Sequence, residues 1–229
     1  MNKLILPKSH ISWSQIQVWK SNPARYRKEY FENGKKLDSS YLRFGKGIAE
    51  MVEELEEIQK TSGTKELALM KLVEKYSLDE GTQIALLDLD TEGISEYKIE
   101  IEIKGVPMLM FLDKYVPRDH SIKEFKTGKI PWDKAKVHKH DQLLVYAVGL
   151  RAKTGKMPEY CDLYWLETSE KSDDTGDFWA KVDKKLKLTG KVKSFHREFD
   201  ARELDRMEED IVKTAIEISE AYQAFLAEV

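Results

Sequence analysis

The hydrophobic pattern of the chain changes period near residue 90. Before that point apolar positions recur at helical spacing. Ile48, Met51, Val52, Leu55 and Ile58 form such a stripe between Gly45 and Gln59, with glutamates on the opposite side. The stripe stops at Thr61-Ser62-Gly63-Thr64. Leu67, Leu69, Met70, Leu72, Val73 and Tyr76 predict a further helix, and Leu78 to Leu89 another. Nearer the start, Ser12 and Gln15 form a capping box for a helix through Trp19 that ends before Asn22-Pro23. Tyr26, Tyr30 and Phe31 then mark a short amphipathic turn.

From Tyr97 to Lys104 the pattern alternates, with Tyr97, Ile99, Ile101 and Ile103 on one face and Lys98, Glu100, Glu102 and Lys104 on the other. That is a strand with one wet face. Gly105-Val106-Pro107 turns the chain into a more continuously apolar strand, Met108 to Val116, expected centrally in the sheet. Pro117-Arg118-Asp119-His120 connects it to a third strand carrying Ile122, Glu124 and Lys126. Beyond Gly128 and Pro131, Trp132 to Lys153 reads as one helix with Gln142 and Tyr146 on the same face. Tyr160 to Leu166, Phe178 to Val182 and Val192 to Phe199 read as strands. Asp200, with Glu203 three residues on, N-caps a last helix with Leu204, Met207, Ile211, Ala215, Ile218 and Tyr222 on one stripe. The expectation is a single α/β domain over residues 1–229 in three layers, with 1–90 mainly helical, 95–200 forming the sheet and 200–229 a returning helix.

With 229 residues, 41% of them hydrophobic, such a domain can bury a substantial core. The net charge of −3 argues against holding nucleic acid by bulk charge. Any such contact needs a local patch. Lys134, Lys136, His138, Lys139 and His140 form one candidate, and Arg25, Arg27 and Lys28 another; the lysines from Lys181 to Lys193 read as a solvated face. The lone cysteine, Cys161, excludes an internal disulfide or a four-thiolate cluster within the chain, and its neighbours Tyr160, Leu163, Tyr164 and Trp165 suggest a buried structural thiol. No apolar run is long enough to span a bilayer, so a soluble, cytoplasmic protein without a membrane partner is expected.

The candidate chemistry lies where the strands converge. Alternation makes Glu124 and Lys126 project together. If the preceding strand is their neighbour, Asp113 reaches the same point, giving two hard oxygen ligands and one ammonium. Two carboxylates suit Mg²⁺ or Mn²⁺, and the set reads as a metal-dependent phosphodiester-cleaving site.

Asp113, Glu124-Phe125-Lys126 and Gln142-Leu143-Leu144-Val145-Tyr146 together resemble the PD-(D/E)XK nuclease superfamily, in the branch typified by the RecB nuclease domain. The likeness extends to Ile11-Ser12-Trp13-Ser14-Gln15-Ile16, to Asn22-Pro23-Ala24-Arg25-Tyr26, to Phe44-Gly45 ahead of a glutamate-rich helix, and to the C-terminal helix. A lone Asp with Glu-x-Lys is common by chance, whereas the ordered set is specific. The resemblance implies a three-layer restriction-endonuclease-like core, a central mixed β-sheet flanked by helices, with a helical N-terminal region. It implies Asp113, Glu124 and the main-chain carbonyl of Phe125 as metal ligands, Lys126 as the group that orients the attacking water, and Gln142 and Tyr146 behind the site contacting the lysine or the substrate phosphate. The implied activity is a Mg²⁺- or Mn²⁺-dependent DNA nuclease, with exonuclease action on ends or single strands preferred, in recombination, repair or phage DNA metabolism. A recombination partner or a helicase would be a separate protein. Branch members with an iron–sulfur cluster take their first ligand where this chain has Asn22, and the C-terminal cysteines are missing too, so no cluster is expected.

Two departures bear on the site. The family's metal-ligating histidine falls at Ala49, which cannot ligate. On the helical wheel Glu53 lies next to Ala49 and ranks first as replacement, Glu50 second, against the alternative that both are surface glutamates. Met110 stands where relatives often have glycine. His138 and His140 do not share a helix face, so a substrate-facing or solvated role is expected rather than a zinc site; His10, His120 and His196 read as structural or exposed. Trp132 reads as core or as a base-stacking residue. Beside the nuclease, the sequence leaves open a catalytically inactive nucleic-acid- or protein-binding module, motivated by Ala49 and the acidic balance, and a buried salt-bridged trio without ligand.

Overall fold

The computed structural model describes residues 4–36, 39–170 and 186–228. Its helices are α1 (Trp13–Ser21), α2 (Pro23–Tyr26), which runs into a π-helical turn at Arg27–Phe31, α3 (Ser40–Ser62), α4 (Lys65–Tyr76), α5 (Glu80–Asp88), α6 (Lys134–His138), α7 (Asp141–Thr154) and α8 (Ala201–Glu228). The strands are β1 (Ile94–Ile103), β2 (Val106–Val116), β3 (Ser121–Gly128), β4 (Tyr160–Glu170) and β5 (Leu186–Glu198), in sheet order β1-β2-β3-β4-β5. Neighbours are antiparallel except β3 and β4, which run parallel through the α6–α7 crossover. This is the expected α/β architecture of a mixed sheet between two helical layers. The strand expected at Phe178–Val182 lies outside the described residues.

Each face of the sheet buries its own apolar cluster. One joins α1, α7 and α8 to Ile99, Met108, Leu112, Ile122, Leu163 and Trp165. The other joins α3, α4 and α5 to Tyr164, Leu166, Leu186 and Leu188. The two sets on β4 alternate, as period two requires. Cys161 is fully buried in the first cluster. Among the described residues no helix is long and apolar enough to cross a membrane.

Several boundaries differ from the sequence reading for physical reasons. The β1–β2 turn is Lys104-Gly105, both with positive φ (47° and 83°), so Ile103 pairs with Val106 and β2 starts earlier than Met108. The middle strand is β3, and β2 is its neighbour. Only half of the Ser12–Gln15 box forms. Ser12 Oγ accepts the Gln15 N–H (3.4 Å), but the Gln15 side chain is buried, donating to the His10 carbonyl and accepting from the Tyr26 hydroxyl. The expected helix Trp132–Lys153 is broken at Lys139-His140 into α6 and α7. Arg197 of β5, 4% exposed, donates Nη1 to the carbonyls of Val137 and His140 (3.2 and 3.3 Å) at that break.

Two glycines let backbones and side chains approach closely. A Cβ at Gly149 of α7 would lie 2.4 Å from Cε of Met110, so this methionine on β2 is accommodated by the absence of a side chain on α7. A Cβ at Gly81 of α5 would lie 2.4 Å from the Leu188 carbonyl oxygen of β5. Helix propensity alone favours alanine at both positions by about 1 kcal/mol. At Gly81 the obstacle is a sheet backbone that cannot swing away, so Gly81→Ala should destabilise by about 1–3 kcal/mol. At Gly149 only the flexible end of Met110 must move. Urea denaturation of both variants should therefore find Gly81→Ala the more damaging; equal or reversed effects would contradict this packing.

Candidate active site

The site occupies a fork between β2 and β3. These strands pair only at Lys114–Lys123, Tyr115–Ile122 and Val116–Ser121. Nearer its start, the same edge of β2 is taken by Ile11, whose N–H donates to the Pro107 carbonyl (2.8 Å) and whose carbonyl accepts from Leu109 (2.9 Å). Residues 110–113 have neither partner. At the apex Asp113 Oδ2 accepts the backbone N–H of Phe125 (2.7 Å), a side chain standing in for the missing ladder bond.

The side-chain alternation of β2 slips by one at this residue. Leu112 and Tyr115 both pack towards α7, although three positions apart, while Lys114 lies on the other face in an ion pair with Glu56 of α3. Opposite Asp113 in the β1–β2 register stands Glu96, with φ +44°, a left-handed conformation costly for a glutamate. On β3 the alternation is regular. Ile122 and Glu124 face the α7 layer with Lys126, while Lys123 pairs with Asp90 (2.6 Å) and Phe125 packs against the α3–α5 cluster.

Glu124 is 1% exposed and held by one amide and one ammonium. Its Oε1 accepts from Lys126 Nζ (2.6 Å) and from Gln142 Nε2 (2.8 Å). The same Gln142 nitrogen donates to the Tyr146 hydroxyl (2.8 Å), and Gln142 Oε1 accepts from Lys126 Nζ (2.8 Å) and faces His140 Nε2 (3.2 Å). Electrostatics fix the amide's orientation, because a flip would set oxygen against the carboxylate and nitrogen against the ammonium. Gln142 and Tyr146 meet as helical i, i+4 neighbours on α7, and both are buried. The Lys126 side chain is 25% exposed, so the group opens to the surface there.

The charges are balanced against burial. Burial raises the Glu124 carboxyl most, the Asp113 charge adds to it, and Lys126 opposes both, leaving Glu124 pushed up to about 8. Asp113 is also raised by burial, against the pull of Lys126 and the Phe125 N–H. For Lys126, burial acts downwards, but Glu124 and Asp113 outweigh it and raise the lysine, keeping it an ammonium at neutral pH. Burial and the Lys126 charge hold His140 down at about 4, hence neutral.

The donor set fits a divalent cation. Glu124 Oε2 is buried and accepts from no nitrogen donor; it faces the Asp113 carboxyl, with which it can share a proton. Asp113 also lines a cavity of ≈ 10 Å³, room for about one water-sized sphere, together with Ala49, Val52, Glu53, Glu96, Lys114 and Phe125. Ala49 thus sits beside the candidate ligands with Glu53 next to it, while Glu50 is exposed and paired with Lys46 (3.5 Å). Among the described residues no three acidic, histidine or cysteine groups already converge on one point, so a bound ion would draw these side chains together.

Two residues near the site were missed as its members. Glu96 precedes the alternating stretch read from Tyr97 and carries no sequence signal of its own; the two-residue turn at Lys104-Gly105 sets the register that brings it opposite Asp113. His140 was read as solvated or substrate-facing, and instead contacts Gln142, with its ring between Trp132 (centroids 4.8 Å) and Trp13 (6.2 Å). His138 is separate, 3.7 Å from Glu203. Trp132 is half-buried under Lys136 Nζ (4.2 Å from its ring). Lys134, Lys136 and Lys139 are exposed beside it, whereas Arg25 pairs with Glu29 and Arg27 with Glu32 and Glu228, which neutralises much of the second basic patch.

No protein-family profile and no curated protein sequence matches the chain. Its fold is shared with two solved structures. A proposed exonuclease from Eubacterium rectale aligns over 93% of this chain and 82% of its own, with a TM-score of 0.52 and 15% identity. A phage-related exonuclease from Haemophilus somnus 129PT aligns over 97% of this chain and 92% of its own, with a TM-score of 0.50 and 12% identity. At these identities the likeness establishes a common fold, one found in proteins described as exonucleases.

Proposed function

We propose that this chain is a metal-dependent deoxyribonuclease of the PD-(D/E)XK superfamily, in the RecB-like branch without an iron–sulfur cluster, and that it degrades DNA from ends or single strands. The observation that carries this reading is the juxtaposition of a half-buried Asp113 and a buried Glu124, one Glu124 oxygen facing Asp113 rather than a nitrogen donor, beside a cationic Lys126. Asp113 is the group placed to share a proton with that oxygen, and a divalent cation could take the same place between the two carboxylates. The exonuclease descriptions of the two fold neighbours support the choice of end-directed cleavage. On this reading the chain acts in the cytoplasm in recombination, repair or phage DNA metabolism, with any helicase or recombination partner a separate protein.

Asp113, Glu124 and the Phe125 carbonyl would hold Mg²⁺ or Mn²⁺, with Glu53 and Glu96 supplying the donors that Ala49 lacks. A bound ion would provide Lewis acidity and a bound water of lowered pKa. Lys126, kept charged by the two acids, orients the attacking water and offsets charge developing on the phosphate oxygens; it is not the base. Gln142 holds Lys126 and Glu124 in one geometry, and Tyr146 fixes Gln142. Lys134, Lys136 and Lys139 would meet the DNA backbone, with Trp132 beside them for a base.

End-labelled single- and double-stranded DNA, linear and circular, should be degraded with Mg²⁺ or Mn²⁺ only when ends are available, and not in EDTA. Lys126→Ala should slow this about 10²–10³-fold while leaving Mn²⁺ affinity within a few-fold. A folded wild type that cleaves no substrate and shows no Mn²⁺ binding in calorimetry would leave the inactive binding module as the better reading. In the same calorimeter, Glu53→Gln and Glu96→Gln should each weaken Mn²⁺ binding about tenfold, and Glu50→Gln should not. Equal behaviour of all three would remove Glu53 and Glu96 from the site.

The raised Glu124 pKa also sets a pH dependence. Its folded value lies above the ordinary carboxylate range, so its contribution to stability is fully present below about pH 4.5 and is lost as pH rises through about 8. Metal-free protein should therefore melt at lower temperature at pH 8.5 than at pH 5.5. Glu124→Gln, which cannot ionise, should flatten that slope. A slope unchanged by this substitution would refute the assignment.

A further inference from the structure

The break between α6 and α7 delivers a histidine to the amide oxygen that holds Lys126. His140 Nε2 lies 3.2 Å from Gln142 Oε1, and Lys126 Nζ lies 2.8 Å from the same oxygen. Because the Gln142 nitrogen is committed to Glu124 and Tyr146, Oε1 can only accept. His140 must therefore present an Nε2–H, which fixes its tautomer.

The backbone and ring of this histidine are both held. The buried Arg197 donates Nη1 to the carbonyls of Val137 and His140 (3.2 and 3.3 Å), which also accept the backbone N–H groups of His140 and Leu143 (both 3.1 Å), so the turn between α6 and α7 is fastened by side chain and backbone together. His140 is the N-cap residue of α7 with extended backbone (φ −86°, ψ 100°), yet its side chain caps nothing in the helix. Its ring turns instead to Gln142, with the indoles of Trp132 and Trp13 set edge-on at 4.8 and 6.2 Å. A histidine needed only to fill space would require neither a broken helix nor this alignment.

We propose that His140 is a positioning residue of the reaction, a second donor to Gln142 Oε1 that holds the oriented amide in place between Glu124 and Lys126. This rests on the nuclease reading for its consequence in rate, but the lock itself is a property of the metal-free protein. Without the Nε2–H donor, Gln142 Oε1 keeps Lys126 as its single partner, and the amide, still oriented by the two charges, can tilt and carry Lys126 off its aim. Outer hydrogen bonds of this kind alter activity about 10–100-fold when removed.

Three forms of the protein test it: wild type, His140→Leu, which removes the donor, and His140→Gln, whose Nε2 can supply one. In ¹H–¹⁵N spectra of the metal-free protein, the side-chain amide of Gln142 should shift or broaden in His140→Leu and stay near its wild-type position in His140→Gln. In DNA degradation, His140→Leu should lose about tenfold in kcat with KM and Mn²⁺ affinity within about twofold, and His140→Gln should recover to within about threefold of wild type. A Gln142 amide unmoved in His140→Leu overturns the inference, as does equal impairment of the two variants, which would mean a packing role only. If the amide responds as expected but wild type cleaves nothing, the lock stands and the nuclease reading is what fails.

Discussion

The site depends on one costly act, the burial of the Glu124 carboxylate. An isolated carboxylate in a protein interior costs several kcal/mol unless it is paired, hydrogen-bonded or protonated. Here all three responses are present in part. Lys126 and Gln142 satisfy Oε1, Oε2 faces only the Asp113 carboxyl, and burial, with the Asp113 charge second, pushes the group towards its protonated form. The arrangement is half-satisfied for a purely structural cluster. It is well suited to a cation that would replace the proton and take the remaining oxygen.

That burial is possible because the sheet is deliberately incomplete. β2 and β3 pair over three positions and then separate, with Ile11 closing the far part of the β2 edge. Asp113 spans the gap to the Phe125 N–H, so one residue both repairs the ladder and lines the cavity. The slip in alternation at Asp113 and the left-handed backbone of Glu96 opposite it are the local consequence. On the other face, Lys114 and Lys123, 1% and 3% exposed, are neutralised by Glu56 of α3 and by Asp90 in the segment after α5, which fastens both directly behind the fork.

Much of this was legible from periodicity. The alternation of Ile99, Ile101 and Ile103 gave β1, the parity of Glu124 and Lys126 put them on one face, and the i, i+4 spacing of Gln142 and Tyr146 brought them together. What could not be read depends on distant partners. Trp132 to Lys153 has no local reason to break; the break is held by Arg197, which arrives two strands later. Glu96 precedes the alternating stretch and carries no signal in the pattern, and register alone places it opposite Asp113. Met110 finds its space in Gly149, across from it on α7. Such compensations join residues on different elements, and no local window contains both partners.

The central claim, that Asp113 and Glu124 hold a proton which a divalent cation displaces, is tested most directly by calorimetric titration of Mn²⁺ near pH 7 in buffers of different ionisation enthalpy. The account predicts release of up to about one proton per ion bound in wild type, falling towards zero in Glu124→Gln with much weaker binding. Tight Mn²⁺ binding with no proton release, or with a release that Glu124→Gln leaves unchanged, would contradict it.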